Sequence, residues 1–188
     1  MPPVNDTSFW ILQSDETLTV LQALCKVAPT GATLAFEGVG AREALSPAVA
    51  AFSVSSGFNI FRDSKSEGTE LFEIRPSPPA ITALSAHLKG KQVCDFFYHL
   101  KFIENSGRIW AWHHDAGSGG FPYLNPRIDE DVVAALAKEL RCEYVLQKDG
   151  MWGWDYCLEK PANQALQHND PSCHAPCMRT CRASRGRG

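Results

Sequence analysis

The sequence has no long hydrophobic run. Its longest apolar stretches, such as residues 48–54, fall far short of the roughly 20 residues that a membrane-spanning helix needs. The first residues carry neither the basic segment nor the apolar core of a secretory signal. We therefore expect no membrane partner, and we expect the protein to be cytoplasmic.

Compositional bias is also missing from the chain as a whole. Of its 188 residues, 44% are hydrophobic and 21% are charged, values that exclude a disordered, collagen-like or fibrous chain. The length favours a single globular domain, which we place at residues 1–160. Residues 161–188 lack apolar periodicity and contain three cysteines and four arginines, so we expect a disordered Cys/Arg-rich C-terminal tail.

An excess of positive charge is absent. The net charge is −3, and the four arginines after Asp170 are not accompanied by any acidic residue. Without those four, 14 basic residues stand against 21 acidic ones, which gives residues 1–170 a net charge of −7. Such a body repels phosphate backbones. Nucleic-acid binding by the folded part is therefore not expected, and a basic protein is the favoured kind of partner.

Cysteine is present, but the spacing of a disulfide framework or zinc ribbon is not. The seven cysteines are an odd number, and the four in the body are far apart in the sequence, as expected for free thiols in a core. The tail holds the residue types of a zinc site, in Cys173, Cys177, Cys181, His168 and His174. Their spacing is not Cys-x-x-Cys, and no apolar residues surround them, so the pattern favours simple oxidation over metal binding.

No complete catalytic motif is present. Ser118 lies in a glycine-rich segment, but Pro122 and Pro126 follow where a nucleophile elbow requires a helix. Gly38 and Gly40 begin a dinucleotide-binding pattern, whose third glycine is replaced by Glu43. We interpret these two glycines as a tight turn between a strand and a helix.

The hydrophobic patterns alternate between strand and helix periods. They predict an α+β fold of about three or four helices packed on a mostly antiparallel sheet. A mixed α/β arrangement with at least one parallel crossover is the alternative, because a strand, a helix and a strand open the chain. Helices are expected at residues 15–28, 41–53, 77–89 and 129–140, first strands at 9–13 and 33–37, a loop at 116–127, and hairpins over 58–74, 93–115 and 142–158.

The hairpin over 93–115 carries the candidate site. If residues 105–107 form its loop, facing residue numbers sum to 212, so that Glu104 lies opposite Arg108 and His99 lies opposite His113. Asp115 would follow on the same face. Two imidazoles and one carboxylate form the ligand set of many divalent-metal sites. His99, His113 and Asp115 are therefore predicted as a metal site, the alternative being ordinary histidines on a polar outer face.

A second candidate surface is an aromatic stripe. Trp152, Trp154 and Tyr156 alternate along a predicted strand, so their rings share one face. Such a stripe either fills a core or, if exposed, forms a partner-binding surface.

Two functional hypotheses follow. The first is a small acidic cytoplasmic interaction protein without catalysis, such as an inhibitor or immunity-type protein that binds a basic partner. The second is a metal-dependent hydrolase or oxygenase with the two-His/one-Asp site on the 93–115 hairpin.

Overall fold

The computed structural model describes residues 8–60, 62–63 and 66–148. Within these residues the predicted α+β fold is confirmed, as four helices pack on a seven-stranded sheet. The strands are β1 (Phe9–Leu12), β2 (Thr33–Val39), β3 (Thr69–Ile74), β4 (His99–Ile103), β5 (Ile109–His113), β6 (Pro122–Leu124) and β7 (Tyr144–Gln147). The helices are α1 (Thr17–Val27), α2 (Ala41–Val49), α3 (Pro78–Leu88) and α4 (Glu130–Leu140). No helix of the described residues is long and apolar enough to span a bilayer.

Every strand pairing is antiparallel, in the order β3-β2-β4-β5-β6-β1-β7. Four antiparallel steps lead from β1 to β2, so these two strands run in the same direction. The predicted parallel crossover through α1 is therefore present, although the two strands do not pair with each other. Three other strands separate β1 from β2, so the helix between them crosses the sheet without joining neighbours. β1 instead pairs with β6 and β7, which come late in the chain.

The sheet is buried on both faces at its centre. Leu34 and Phe36 of β2 belong to the main core, which includes residues of all four helices. Ala35, between them, belongs to a second apolar cluster on the opposite face, together with Ile60. Ile60 comes from the segment that joins α2 to β3, and this segment, rather than a helix, covers the second face of the sheet at this point. Polar side chains on this second face of β2 and β4 are consequently enclosed.

The turn between β2 and α2 explains the two glycines that begin the dinucleotide-like pattern. Gly40 has a φ of +64° at the helix N-cap, a left-handed conformation that glycine adopts without strain. A Cβ on Gly38 would lie 2.7 Å from the Cα of Phe97. The second glycine is therefore required by the turn, and the first by close backbone packing.

Several predicted elements differ from the structure. Of the hairpin over 58–74, only β3 is a strand, because residues 58–60 and 62 lie outside regular structure. The predicted strand over 93–104 begins with a short 3₁₀ turn at Val93–Asp95 and becomes β4 only at His99. The loop predicted over 116–127 contains β6. The end of the domain at 160, the strand at 152–158 and the tail over 161–188 lie outside the described residues.

The predicted register of the 93–115 hairpin is correct only near its loop. Ile103 pairs with Ile109 as expected, but a register shift follows, and Phe102 pairs with Ala111. The shift is a β-bulge, in which one extra residue of β5 is inserted and every later side chain changes face. Trp110 is the extra residue, and its indole packs into the main core, 6.0 Å from the ring of Phe102. Burial of this indole is the physical reason for the bulge.

Candidate functional site

A buried ionic network occupies the second face of the sheet. The ammonium nitrogen of Lys101, on β4, lies 3.3 Å from Oε2 of Glu37 on β2 and 2.8 Å from Oδ2 of Asp63. The side chains of Lys101 and Glu37 are 1% exposed, and that of Asp63 is 4% exposed. Charges this deeply enclosed persist only when they are paired and hydrogen-bonded.

The same network fixes Asp63, which comes from the segment between α2 and β3. Its main-chain amide donates to Oε2 of Glu37 at 2.9 Å. The indole of Trp112, on β5, donates to Oδ2 of Asp63 at 3.0 Å, and the ring of Trp112 also lies beneath the Lys101 ammonium, 5.5 Å away. The hydrogen bonds with Glu37 and Trp112, together with the ion pair with Lys101, therefore hold Asp63 against the centre of the sheet.

His99 lies two residues before Lys101 on the same face of β4, and it is buried. Burial lowers its pKa to about 3, helped by the neighbouring His114, so the ring is neutral at physiological pH. The main-chain amide of Asp115 donates to its Nδ1 at 3.0 Å. Because Nδ1 accepts a hydrogen bond, the proton of this neutral ring is on Nε2.

His114 lies beside His99, with ring centroids 4.3 Å apart. Its Nδ1 is 3.2 Å from Oδ2 of Asp115, and the two side chains are 25% and 28% exposed. Asp115 also contributes, after burial, to the raised pKa of Tyr123 on β6. This pair is therefore the part of the cluster that solvent or a small molecule reaches.

His113 does not lie with His99. The bulge pairs His113 with Leu100, a residue of the main core, whereas His99 is opposite Glu37 on the other face. The Nε2 of His113 is 2.8 Å from the carbonyl oxygen of Gly120. Its Nδ1 has no hydrogen-bond partner among the described residues, and burial lowers its pKa to about 4. The predicted placement of His99 opposite His113 is therefore wrong.

The group with metal-binding geometry is Asp63, His99 and His114. Each offers one ligand atom, and these atoms lie within 4.8 Å of one another. Of the three predicted ligands, only His99 belongs to this group. Asp115 lies beside it and contacts both histidines, and His113 is separated from it by the sheet.

Two of these three residues, Asp63 and His114, were not predicted as ligands from the sequence, for different reasons. The register predicted for the 93–115 hairpin puts His113 on the face of His99 and the adjacent His114 on the opposite face, because the bulge at Trp110 has no signal in the sequence. Asp63 belongs to the predicted hairpin over 58–74, and nothing in its local pattern links it to His99 and His114, which follow 36 and 51 positions later.

Two surface grooves lie elsewhere. The larger, about 570 Å³, is lined by residues 15–18 at the start of α1, the segment 91–94 and the pair Gly117 and Ser118. The smaller, about 270 Å³, lies near the loop of the β4–β5 hairpin. Neither is lined by Asp63, His99 or His114. The predicted partner-binding stripe of Trp152, Trp154 and Tyr156 lies outside the described residues.

Comparison of the chain with protein-family models, with curated proteins and with solved structures finds no match.

Proposed function

We propose that this protein is a metal-dependent hydrolase that holds a divalent ion on Asp63, His99 and His114. The observation that carries the proposal is the convergence of one carboxylate and two imidazoles, with ligand atoms within 4.8 Å of one another. They come from a loop, from β4 and from the residue after β5. Two imidazoles and a carboxylate suit zinc and iron.

The charge balance of the cluster supports a divalent cation. Two carboxylates, those of Glu37 and Asp63, contact the ammonium group of Lys101, and a third, that of Asp115, lies beside His114. With neutral histidines the formal charge is −2, and a divalent ion reduces it to zero. Uncompensated charge in an enclosed site is costly, by several kcal/mol per ion. The arrangement therefore favours cation binding over anion binding.

The groups that surround the candidate ligand side chains are also typical of metal sites. A metal-bound histidine usually donates its other ring N–H to a carboxylate or a carbonyl group. Nδ1 of His114 lies 3.2 Å from Oδ2 of Asp115, and a proton on Nδ1, which this carboxylate favours, leaves the lone pair of Nε2 for a metal. Asp63 receives Lys101 and Trp112 on Oδ2, so Oδ1 is the oxygen that neither of these donors occupies.

His99 must change tautomer to bind a metal, because Nδ1 faces the amide of Asp115 and Nε2 is the other ring nitrogen. Losing that hydrogen bond costs about 1 kcal/mol. Binding of Zn²⁺ to structural sites contributes roughly 10–16 kcal/mol at pH 7. The tautomer change is therefore a small cost by comparison.

The chemistry follows from the number of ligands. A divalent ion with three protein ligands keeps a position for water and lowers the pKa of that water to about 7. Oxygen chemistry would also require a reductant, whereas hydrolysis requires only the metal and water. The partly exposed His114 and Asp115 give a substrate access. We accordingly place hydrolysis ahead of oxygenation.

The test is a calorimetric titration with Zn²⁺ of the full chain, in which Cys173, Cys177, Cys181, His168 and His174 are replaced by serine or glutamine to remove the tail as a second sink. We expect one equivalent to bind. We expect His99→Gln and Asp63→Asn each to weaken binding at least 100-fold, and His87→Gln, on α3 away from the cluster, to leave it unchanged. Equal binding by all four proteins would refute the proposal. A hydrolase substrate screen follows on the loaded protein.

A non-catalytic cytoplasmic interaction protein is the second candidate. It is supported by the net charge of −7 over residues 1–170, which would accelerate association with a basic partner. Sedimentation of the full chain with a basic protein such as lysozyme, at low and at high salt, probes this attraction. Absence of a complex at low salt would count against it.

A further inference from the structure

We infer that Asp115 is the positioning residue of both histidines, and that metal binding releases its main-chain amide from His99. The predicted role of Asp115 as a ligand is thereby replaced by a role beside the metal. This inference rests on the proposed metal site, although the first half concerns the metal-free protein.

The side chain of Asp115 acts on His114. Its Oδ2 lies 3.2 Å from Nδ1 of that ring, and its negative charge favours the neutral tautomer with the proton on Nδ1. That tautomer directs the lone pair of Nε2 away from the carboxylate. Carboxylate partners fix the tautomer and the ring orientation of metal-binding histidines, and their loss typically weakens metal binding 10–100-fold. His114 is thus prepared for a metal before one arrives.

The main chain of Asp115 acts on His99 in the opposite sense. Its N–H donates to Nδ1 of His99 at 3.0 Å, which places the proton of this neutral ring on Nε2, the nitrogen that a metal would need. Asp115 therefore favours the metal-binding tautomer of His114 and the opposite tautomer of His99.

The backbone of Asp115 is fixed by its own surroundings. Its φ is +53°, a left-handed conformation that aspartate tolerates better than most residues. Its carbonyl oxygen accepts from the amides of Ser118 and Gly120, and the next amide, that of Ala116, donates to the carbonyl oxygen of Tyr98 at 2.6 Å. These contacts aim the Asp115 amide at His99.

A metal bound to Nε2 of His99 removes the acceptor of the hydrogen bond that the Asp115 amide donates. The proton of the neutral ring must then be on Nδ1, and two N–H groups would face each other at a distance suited to a hydrogen bond. The amide of Asp115 has to turn away, which breaks its contact with His99 and alters the short loop that it begins. Occupation of the site and the conformation of this loop are consequently coupled.

The experiment reads the tautomers directly. Full-length protein with ¹⁵N-labelled histidine is studied by NMR at pH 8, above the ordinary histidine pKa of about 6.5, with and without one equivalent of Zn²⁺. Without metal we expect the proton on Nδ1 of His114 and on Nε2 of His99. With Zn²⁺ we expect His99 to carry its proton on Nδ1, and the Asp115 amide to exchange with solvent at least 10-fold faster.

Two variants separate the side chain from the main chain. Asp115→Gly keeps the amide and suits the positive φ but removes the carboxylate, so we expect the Nδ1 preference of His114 to be lost and Zn²⁺ affinity to fall 10–100-fold. Asp115→Asn restores an acceptor oxygen, so its affinity should lie between those of Asp115→Gly and the natural chain. In both variants His99 should keep its proton on Nε2 while no metal is present.

An unchanged His114 tautomer in Asp115→Gly, or a proton on Nδ1 of metal-free His99, would overturn the positioning role. A tautomer of His99 that does not change when Zn²⁺ binds would overturn the release. If the natural chain bound no Zn²⁺, the proposed function would fail and the release with it, whereas the metal-free tautomers would still decide whether Asp115 positions the two rings.

Discussion

Leu100 lies directly opposite His113 across strands β4 and β5. Because Leu100 belongs to the main core, this single pairing places the imidazole of His113 on the side of the helices. The next residue, His114, lies beside His99 on the other side. The residue inserted at the bulge thus turns His113 toward the main core and His114 toward the candidate site. Without the insertion the two histidines would have the opposite positions.

The buried ammonium of Lys101 leads to a prediction about stability. Lys101→Met leaves the carboxylates of Glu37 and Asp63 enclosed without their cation, and breaking a buried ion pair in this way typically costs roughly 3–5 kcal/mol. We expect a loss of that size in the free energy of unfolding, measured with urea on the metal-free protein.

The matched double variant tests the electrostatic origin of that loss. Lys101→Met with Glu37→Gln removes one charge of each sign, so it should be more stable than Lys101→Met alone, even though it contains one more substitution. A double variant that is less stable than the single one would show that packing of the lysine side chain, and not its charge, is responsible.

The crowding of Gly120 gives a second prediction. A Cβ at this position would overlap the carbonyl oxygen of His114 and lie 3.0 Å from Cβ of Asp115. Gly120→Ala should therefore destabilise the protein strongly and displace the carbonyl group that His113 contacts. Gly40→Ala is the control, since open space surrounds Gly40 and only its left-handed backbone is penalised, by about 1–2 kcal/mol.

Thermal unfolding of both glycine variants provides the comparison. The decrease in Tm should be clearly larger for Gly120→Ala. Equal decreases would mean that the loop relaxes around the new methyl group, and that its geometry is less constrained than its contacts indicate.

The buried histidines make stability depend on pH. Burial lowers the pKa of His113 to about 4 and that of His99 to about 3, whereas both titrate near 6.5 in the unfolded chain. Below pH 6.5 the unfolded chain therefore binds protons at these two histidines, whereas both rings stay neutral in the native protein until the pH approaches their lowered pKa values. Stability is greatest above pH 6.5 and falls toward pH 4, by about 1.4 kcal/mol per pH unit for each histidine.

Urea unfolding of the metal-free protein between pH 6 and pH 5 measures this slope, in a range where free carboxyl groups contribute little. His113→Gln keeps a side-chain N–H for the carbonyl of Gly120 but cannot titrate, so the slope should become about half as steep. A slope that this substitution leaves unchanged would mean that His113 is protonated equally easily in both states.

Much of the fold could be predicted because local signals agree with it. Ser77 and Pro78 predict the start of α3, where Oγ of Ser77 accepts a hydrogen bond from the amide of Ala80. Gly107 predicts the loop between β4 and β5, where it has a φ of +85°. Strand order could not be predicted, because the pairing of β1 with β6 and β7 depends on contacts over more than 100 residues.

The candidate site was only partly predictable for the same reason. His99 was identified from the residue types of its hairpin, but the choice between His113 and His114 depends on the bulge that buries Trp110. Asp63 reaches the site because Lys101 and Trp112 bind its carboxylate, a contact between distant segments. Pattern and spacing describe one element at a time and cannot report such contacts.

Zn²⁺ binding by His113→Gln and by His114→Gln shows which of the two adjacent histidines holds the metal. Zn²⁺ content is measured by mass spectrometry after equilibration with limiting metal, in the full chain whose tail cysteines and histidines have been replaced. We expect about one equivalent in His113→Gln and a loss of most of the metal in His114→Gln. Retention of metal by His114→Gln together with its loss in His113→Gln would contradict the proposed site.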